Sequence, residues 1–286
     1  MIDLHIHTNC SDGREFPEAM VQYAIELGLD ALGITDHDTI AAIAPAEAGA
    51  NGTIRIVRGI ELSATEGDTP IHLLGYGIDP NHVTLNAVLT DVVADRRNRA
   101  ERIVAELNDM GLDVTLDMVE DESGDAPITR AHIGYALLNN GYVRNTGEAF
   151  ARYLSNDAPA FFPQTALDIK TAIATIHDAG GIAVYAHPGI TKRDELIARM
   201  VREGLDGIET IHPQHTRTTI RFYERLARKH GLIATGGSDA HGRMRMAEIA
   251  TSTPIPHDML RVIDEAIAQR RTATCGTLAA STPSVS

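Results

Sequence analysis

The first apolar run of the chain reads Ile2-Asp3-Leu4-His5-Ile6-His7. Its length and apolar content indicate a short buried strand. Residues i and i+2 of a strand point to the same side, so both imidazoles of His5-x-His7 can reach one metal ion. The stretch therefore predicts a strand that carries a metal site at its end.

Further short apolar runs follow along the chain, and amphipathic stretches separate most of them. The predicted strands are Ile2–Ile6, Ala31–Thr35, Ile54–Ile60, Ile71–Tyr76, Ile182–Ala186, Gly207–Ile211 and Leu232–Thr235. The predicted helices between them include Pro17–Leu27, Ala166–Ala179, Asp194–Glu203 and Thr218–His230. This alternation predicts an α/β protein with a mostly parallel sheet. About seven strands favour closure into a barrel, with an open sheet as the alternative.

Residues 84–155 interrupt the alternation of strand and helix. A long helical pattern covers Thr84–Met110, and shorter ones follow at Leu116–Glu120, Arg130–Asn139 and Thr146–Tyr153. We therefore predict a helical insertion at 84–155 in a discontinuous barrel formed by residues 1–83 and 156–275. Residues 276–286 are small and polar, which predicts a flexible tail.

The composition restricts the partners and the compartment. A net charge of −14 disfavours duplex DNA and anionic membranes, because both bind basic surfaces. The 2 cysteines exclude a disulfide framework and favour a reducing cytoplasm. No signal-peptide pattern is found, and no apolar run approaches the roughly 20 residues of a membrane helix. The composition leaves the oligomeric state open.

Metal-binding side chains recur where the predicted strands end. In a parallel barrel the carboxyl ends of all strands meet on one face, so residues far apart in sequence converge there. Nitrogen and oxygen ligands without thiolates suit manganese, iron or zinc. A single histidine at a strand end is more often a hydrogen-bonded structural residue, but that reading must explain several strand ends at once. The residues are His5, His7, Asp12, Asp36, His37, Glu61, His72, His187, Glu209, Asp239 and His241, with His212 and His215 ambiguous.

Four motifs in order resemble the signature of the polymerase-and-histidinol-phosphatase (PHP) family. They are Asp-Leu-His-Ile-His-Thr followed by Ser-Asp-Gly (residues 3–13), Ile-Thr-Asp-His-Asp (34–38), Gly-Ile-Glu (59–61) and Gly-Ser-Asp-Ala-His-Gly (237–242). The resemblance covers nearly the whole chain except the insertion and the tail. It implies a distorted (β/α)7 TIM-like barrel with a trinuclear metal centre.

The resemblance also implies which residues hold each metal. The first metal would be bound by His5, His7, Glu61 and Asp239, the second by Glu61, His72 and His132, and the third by Asp12, His37 and His241. His132 departs from the pattern, because it lies in the insertion and not at a strand end. We expect two or three ions per chain, with Mn²⁺ as the first choice and Fe²⁺ or Zn²⁺ as alternatives.

Within the family, the chain looks most like stand-alone enzymes that act on nucleoside 3′,5′-bisphosphates and short 5′-phosphorylated oligonucleotides. This likeness implies a phosphomonoesterase that releases the 3′-phosphate of a small nucleotide such as adenosine 3′,5′-bisphosphate, by attack of a metal-bridging hydroxide. Asp239 would orient that hydroxide or accept its proton, and His187 would contact the substrate and assist the leaving oxygen. Arg99 and Arg130 are the candidates to bind the second phosphate.

Three alternatives remain open. A histidinol-phosphate phosphatase could use the same centre, with an acidic group near its cationic leaving group. A metal-bound regulatory protein without catalysis belongs to another class, and the complete ligand set speaks against it. Hydrolysis of amides or rings would be supported by a carboxylated lysine, but Lys170 and Lys192 do not lie at predicted strand ends.

Overall fold

Seven strands form one sheet, and their order in the sheet is their order in the chain. The computed structural model describes residues 1–164 and 167–280, with side chains as far as residue 272. The strands are β1 (Ile2–Ile6), β2 (Ala31–Ile34), β3 (Arg55–Glu66), β4 (Thr69–Tyr76), β5 (Ile182–Tyr185), β6 (Gly207–Ile211) and β7 (Ile233–Gly236). Each predicted strand is therefore present.

The two edges of the sheet meet where β7 ends beside β1. The backbone N–H of Asp239 donates to the carbonyl of His5 at 2.8 Å, and the N–H of His7 donates to the carbonyl of Ala240 at 2.8 Å. The sheet thus curls round on itself, and helices surround it. This architecture is a distorted (β/α)7 TIM-like barrel, which confirms the predicted fold class.

Twelve α-helices lie in the described part of the chain. They are α1 (Pro17–Glu26), α2 (Ile43–Ala50), α3 (Val83–Asp109), α4 (Leu116–Ser123), α5 (Arg130–Asn139), α6 (Thr146–Ala149), α7 (Ile169–Asp178), α8 (Pro188–Thr191), α9 (Ile197–Arg202), α10 (Arg217–His230), α11 (Arg243–Ser252) and α12 (Asp258–Ala280). A π-helical turn follows α6 at Phe150–Leu154, and a 3-10 turn precedes α9 at Asp194–Leu196. The predicted start of α7, Ala166, lies outside the described residues.

One strand runs against its neighbours. β4 is antiparallel to both β3 and β5, whereas the other neighbouring strands in the sheet are parallel. Only Gly67 and Asp68 connect β3 to β4, which suffices for a hairpin but not for a parallel crossover. Because β4 is reversed, its beginning lies at the same end of the barrel as the carboxyl ends of the parallel strands.

The insertion has an apolar core of its own. The first half of α3 packs Leu85, Leu89 and Val92 into the barrel core. Its second half packs Ile103 and Leu107 into a separate cluster with α4, α5 and the π-helical turn. Helix α3 therefore packs against both the barrel core and the core of the helical insertion.

The C-terminal region departs from the predicted boundary. Helix α12 continues to Ala280, so the segment predicted as a flexible tail begins inside a helix, and residues 281–286 lie outside the described residues. Threonine, leucine and alanine within 276–280 are compatible with continued helix, because alanine and leucine are strong helix formers. Among the described helices, none combines the length and apolar content required to cross a membrane.

Candidate metal centre

Eight of the nine predicted metal ligands converge at one end of the barrel. Within each of three groups, the possible ligand atoms lie within 4.8 Å of one another. The groups are His5, His7, Glu61 and Asp239; His7, Asp12, His37 and His241; and His37, Glu61 and His72. Shared members connect the groups into one cluster. The prediction from spacing that these side chains would meet at the strand ends agrees with this geometry.

Glu61 lies at the centre of the cluster, near the middle of β3. Five histidine rings approach its carboxylate. The distances to Oε2 are 3.2 Å from His5 Nε2, 3.1 Å from His7 Nε2 and 3.3 Å from His37 Nδ1, and those to Oε1 are 2.9 Å from His72 Nδ1 and 2.8 Å from His187 Nε2. A carboxylate with imidazoles near both oxygens could contribute a ligand atom to more than one of these groups.

His72 reaches this centre because β4 is reversed. It lies near the start of β4, opposite Ser63 of β3, and its Nδ1 is 2.9 Å from Glu61 Oε1. In an all-parallel barrel, a residue near the start of a strand would face the opposite end of the barrel. The hairpin between β3 and β4 therefore provides a ligand that the strand-end rule alone would not give.

His132 does not join the three groups. Its Nδ1 accepts a hydrogen bond from the N–H of Thr129 at 3.1 Å, as part of the capping box of α5, and its ring also hydrogen-bonds the backbone of Ser11. The helix terminus thus engages the side chain that the resemblance assigned to the second metal. His187 lies closer to the centre, since its Nε2 is 2.8 Å from Glu61 Oε1, the oxygen that His72 Nδ1 approaches at 2.9 Å.

The third group lies where the loop after β1 faces the segment after β7. Asp12 Oδ1 is 3.2 Å from His241 Nε2, and the rings of His7 and His241 stack with centroids 4.2 Å apart. Burial raises the pKa of Asp12, but His241 and His37 outweigh burial and hold that pKa well below its usual value. Asp12 is therefore ionised, as a metal ligand must be.

Protonation at the centre also suits metal binding. Burial raises the pKa of Glu61, but His37 and His5 outweigh it, and the pKa ends well below the usual range. Burial lowers the pKa of His37, against the opposing effect of Glu61 and Asp12. Burial also opposes protonation of His7, yet hydrogen bonds to Asp239 and Glu61 raise its pKa to about 10. A cation that binds between these carboxylates would displace that proton.

The geometry of several close contacts fits ions better than hydrogen bonds. His37 Nδ1 lies 3.3 Å from Glu61 Oε2, and Asp12 Oδ1 lies 3.2 Å from His241 Nε2. Neither His37 Nδ1 nor Asp12 Oδ1 makes a hydrogen bond within the described residues, although both atoms are buried. Buried polar atoms are normally satisfied, and a shared ion is one explanation for such exceptions. The residues present thus fit a metal centre with nitrogen and oxygen ligands.

Two buried residues that were not predicted to have a specific role contact the candidate ligands directly. Glu209, in β6, has Oε1 3.1 Å from His5 Nδ1 and accepts the backbone N–H of His187 on Oε2 at 2.8 Å. His212, just after β6, has Nε2 3.3 Å from Asp239 Oδ2. Their position at a strand end was the available signal, but it could not distinguish a ligand from a residue that supports one.

A small cavity adjoins the centre on the side of the insertion. Its volume is about 90 Å³. Its walls combine ligand-group side chains with arginines of α3 and α5, namely Asp12, His37, His72, Arg96, Arg99 and Arg130. Arg99 and Arg130, the residues predicted to bind a second phosphate, both line the cavity.

The three arginines differ in how their charge is balanced. Arg96 donates to Asp38 Oδ2 at 2.6 Å and to Ser63 Oγ at 2.9 Å, so it is a buried ion pair. Within the described residues, Arg99 and Arg130 have no carboxylate in salt-bridge distance, and their hydrogen bonds go to the uncharged groups of Phe162, Leu154 and Asn156.

Burial and repulsion from neighbouring arginines lower the pKa of both guanidinium groups. Burial, followed by repulsion from Arg130 and Arg96, lowers the pKa of Arg99 to about 9. Burial and Arg96 lower the pKa of Arg130 to about 10. Both groups still carry their charge at neutral pH. An anion in this cavity would oppose this effect, because buried charges are normally paired.

A second, larger cavity of about 550 Å³ lies on the other side of Asp12. The loop after β1, the end of α4 and one face of α5 form its walls. Arg14 lies over the ring of Tyr135 at 4.7 Å from the ring centroid, and Asp121 and Glu122 contribute acidic groups. The centre thus separates a basic cavity from a wider one of mixed charge.

Comparison with known proteins agrees with this architecture. Residues 3–156 match the family model described as PHP domain. A 5′-3′ exoribonuclease from Haemophilus influenzae is 36% identical over 248 residues, which cover 84% of this chain and 89% of that protein. A 3′,5′-nucleoside bisphosphate phosphatase from Chromobacterium violaceum is 32% identical over 247 residues, with coverage of 84% and 87%. The structure of a Bifidobacterium adolescentis protein assigned as a metal-dependent phosphoesterase matches with a TM-score of 0.82 at 30% identity, and covers 92% of this chain and 94% of that chain.

Proposed function

The chain belongs to the PHP domain family, and we propose that it is a metal-dependent phosphomonoesterase acting on nucleoside 3′,5′-bisphosphates. It would release the 3′-phosphate and leave the 5′-monophosphate, for example AMP. The observation that carries the proposal is the pair of guanidinium groups of Arg99 and Arg130 beside the cluster of ligands, neither of which has a carboxylate in salt-bridge distance within the described residues. The similarity to a 3′,5′-nucleoside bisphosphate phosphatase supports the same substrate.

The three ligand groups described above would hold the metal ions. We propose Mn²⁺, two or three ions per chain, held by the three groups with His187 added to the group of Glu61 and His72. When bound, such ions supply positive charge for the phosphoryl oxygens and lower the pKa of water so that it can attack phosphorus. The remaining steps rest on the side chains of the chain itself.

Asp239 is the residue we assign to handling the proton of the attacking water. Burial raises the pKa of Asp239, but His5 and His212 outweigh it and hold the pKa well below its usual value. Its side chain remains 19% exposed, more than those of its neighbours Glu61 and His7, and is therefore open to a substrate. An ionised carboxylate at this position can orient water and accept a proton.

Arg99 and Arg130 would bind the phosphate that is not cleaved. Their cavity is small and contains two positive charges that have no carboxylate partner within the described residues. Arginine binds phosphate through charge-assisted hydrogen bonds, often two at a time. A substrate with one phosphate here and another at the metal centre gains both interactions. A monophosphate gains only one, so the arrangement favours bisphosphates.

Short 5′-phosphorylated oligonucleotides are the second candidate substrates. The 5′-3′ exoribonuclease relative supports them, and the cavity of about 550 Å³ beside Asp12 offers room for further nucleotides. The same cavity carries Asp121 and Glu122, the kind of acidic groups that would favour a cationic leaving group such as histidinol. A short 5′-phosphorylated oligonucleotide and histidinol phosphate therefore both belong in the test.

The test is phosphate release at neutral pH with added Mn²⁺. The substrates compared are adenosine 3′,5′-bisphosphate, 5′-AMP, 3′-AMP, histidinol phosphate and a short 5′-phosphorylated RNA. We expect the bisphosphate to be converted to 5′-AMP with the highest kcat/KM. A higher kcat/KM for histidinol phosphate would overturn the substrate assignment and keep the metal chemistry. Absence of turnover for every substrate, with Mn²⁺ bound, would favour a non-catalytic protein.

A further inference from the structure

Glu209 contacts two residues of the candidate metal centre, His5 and His187. The residue lies in β6 and its side chain is fully buried, with 0% exposed. One carboxylate oxygen faces the ring of His5 and the other faces the backbone of His187. His5 belongs to one ligand group, and His187 lies on the Glu61 oxygen shared with His72.

The contact with His5 sets which ring nitrogen carries the proton. Glu209 Oε1 is 3.1 Å from His5 Nδ1, within hydrogen-bond distance, and both side chains are fully buried. A carboxylate only accepts hydrogen bonds, so Nδ1 must carry the proton. This contact leaves Nε2, which faces Glu61 at 3.2 Å, as the ring nitrogen available to an ion. That tautomer is the one that can bind an ion through Nε2.

The contact with His187 supports an unusual backbone conformation. His187 has φ of 30° and ψ of 55°, in the left-handed region that residues other than glycine rarely adopt. Such a conformation costs on the order of 1 kcal/mol. The N–H of His187 donates to Glu209 Oε2 at 2.8 Å, which offsets part of that cost. This conformation directs the ring of His187 back towards Glu61, where its Nε2 lies 2.8 Å from Oε1.

Glu209 is not itself arranged as a ligand. Both of its oxygens already accept hydrogen bonds, and it belongs to none of the three convergent groups found among the described residues. We propose that Glu209 is a positioning residue that fixes the ring of His5 and the backbone of His187 together, and so couples two ligand groups of the centre. The proposal rests on the metal centre of the proposed function, but not on the substrate.

Glu209→Gln is the sharpest variant, because it keeps the size of the side chain. Its amide oxygen can still accept the N–H of His187, so the amide NH₂ must face His5 Nδ1. An NH₂ group requires a lone pair there, which moves the proton of His5 to Nε2 and removes the free lone pair. We expect the Kd for Mn²⁺ to rise about 10- to 100-fold at one site or more, as when outer partners of ligating histidines are lost.

The measurement is Mn²⁺ binding to the purified full chain by equilibrium dialysis, without substrate. The ¹⁵N shifts of the His5 ring in the ion-free protein, recorded at a pH high enough for the ring to be neutral, give a second readout, with the proton on Nδ1 in the wild type and on Nε2 in Glu209→Gln. A merely structural role would not move that proton. Glu203→Gln is the matched control, because it changes the same atoms in a carboxylate that pairs with Arg199 outside the centre.

Glu209→Asp keeps the charge but is too short to reach both partners, so it should also bind Mn²⁺ more weakly than the wild type. This variant decides the matter if the ion-free melting curve shows that Glu209→Gln does not fold. If either folded variant binds Mn²⁺ with wild-type affinity, the positioning role of Glu209 is overturned and the metal centre of the proposed function is not. A wild-type chain that binds no Mn²⁺ would overturn both this proposal and the metal centre on which it rests.

Discussion

His187 Nε2 lies 2.8 Å from Glu61 Oε1, the same oxygen that His72 Nδ1 approaches at 2.9 Å. We therefore propose that His187, in place of the His132 implied by the resemblance, binds an ion together with Glu61 and His72. His187→Asn should therefore weaken Mn²⁺ binding and lower kcat by at least about 100-fold, since loss of several kcal/mol of charge stabilisation has this effect. Equilibrium dialysis and single-turnover phosphate release measure the two quantities.

His132→Asn is the paired variant for that prediction. It removes a ring that caps α5 and contacts the Ser11 backbone, so it should cost about 1 kcal/mol of stability. Its Mn²⁺ stoichiometry should equal that of the wild type. Loss of an ion in His132→Asn, with retention in His187→Asn, would restore the assignment taken from the resemblance.

Arg96 and Arg99 lie on the same helix and are both buried, yet their replacement should have opposite effects on stability. Arg96→Met leaves Asp38 buried without its cation, which should lower the free energy of unfolding by about 3–5 kcal/mol. Arg99→Met removes a buried charge without a carboxylate partner within the described residues, so stability should stay equal or rise. Urea unfolding of the two variants beside the wild type decides the point, and a large loss in both would show that Arg99 has a structural role.

Arg99 and Arg130 should matter for substrate binding, although Arg99 should not matter for stability. Arg99→Met and Arg130→Met should each raise KM for adenosine 3′,5′-bisphosphate about 10- to 100-fold, because a charge-assisted hydrogen bond contributes about 1.5–3 kcal/mol. Turnover of a simple phosphomonoester should change little. Arg102→Met is the control, since Arg102 lies over the ring of Phe162 and does not line the cavity. An unchanged preference for bisphosphate over monophosphate would remove the two arginines from the site.

The sequence was sufficient for the parts of the fold that local patterns determine. Strand β1 begins and ends where the apolar run Ile2–Ile6 does, and His5 and His7 lie in one ligand group as their spacing predicts. The predicted bounds of β6, Gly207–Ile211, also agree with the structure. These elements are short and buried, so hydrophobicity and flanking turns define them almost completely.

Other features depend on contacts between distant residues and gave no local signal. The reversal of β4 follows from the two-residue turn at Gly67 and Asp68, which lies beyond the predicted end of β3 at Ile60. The choice between His132 and His187 required knowing which ring a helix terminus would engage. The role of Glu209 became visible only when β6 was placed beside the ends of β1 and β5.

Closure of the barrel should depend on one glycine. A Cβ at Gly237 would lie 2.2 Å from the Cβ of His5, where the segment after β7 meets β1. Gly237→Ala should therefore lower the free energy of unfolding by about 3 kcal/mol or more, because neither backbone can withdraw without breaking the contact. Gly134→Ala in α5 is the control, with its nearest neighbours at an ordinary 3.7 Å. It should raise stability by about 0.5–1 kcal/mol through helix propensity.

Asp206 lies away from the metal centre and should make the free energy of unfolding depend on pH. Its Oδ2 accepts the N–H of Ala183 and contacts His177 Nε2, both at 2.8 Å, and its Oδ1 pairs with Arg270. Burial raises the pKa of Asp206, but these partners outweigh burial and leave it below the usual value. A carboxyl group whose folded pKa is depressed stabilises the protein above its unfolded pKa, about 3.9, and that contribution is lost as the pH falls through the folded pKa.

Asp206→Asn should accordingly cost about 1–3 kcal/mol at about pH 7, because a hydrogen-bonded buried charge is removed. The difference from the wild type should shrink below about pH 4, where the wild-type carboxyl group also becomes neutral. Urea unfolding at several pH values measures it. Asp68→Asn, on the exposed turn between β3 and β4, changes the same atoms without these partners and should show no such trend. A difference for Asp206→Asn that persists undiminished at low pH would mean that shape, and not charge, accounts for the role of Asp206.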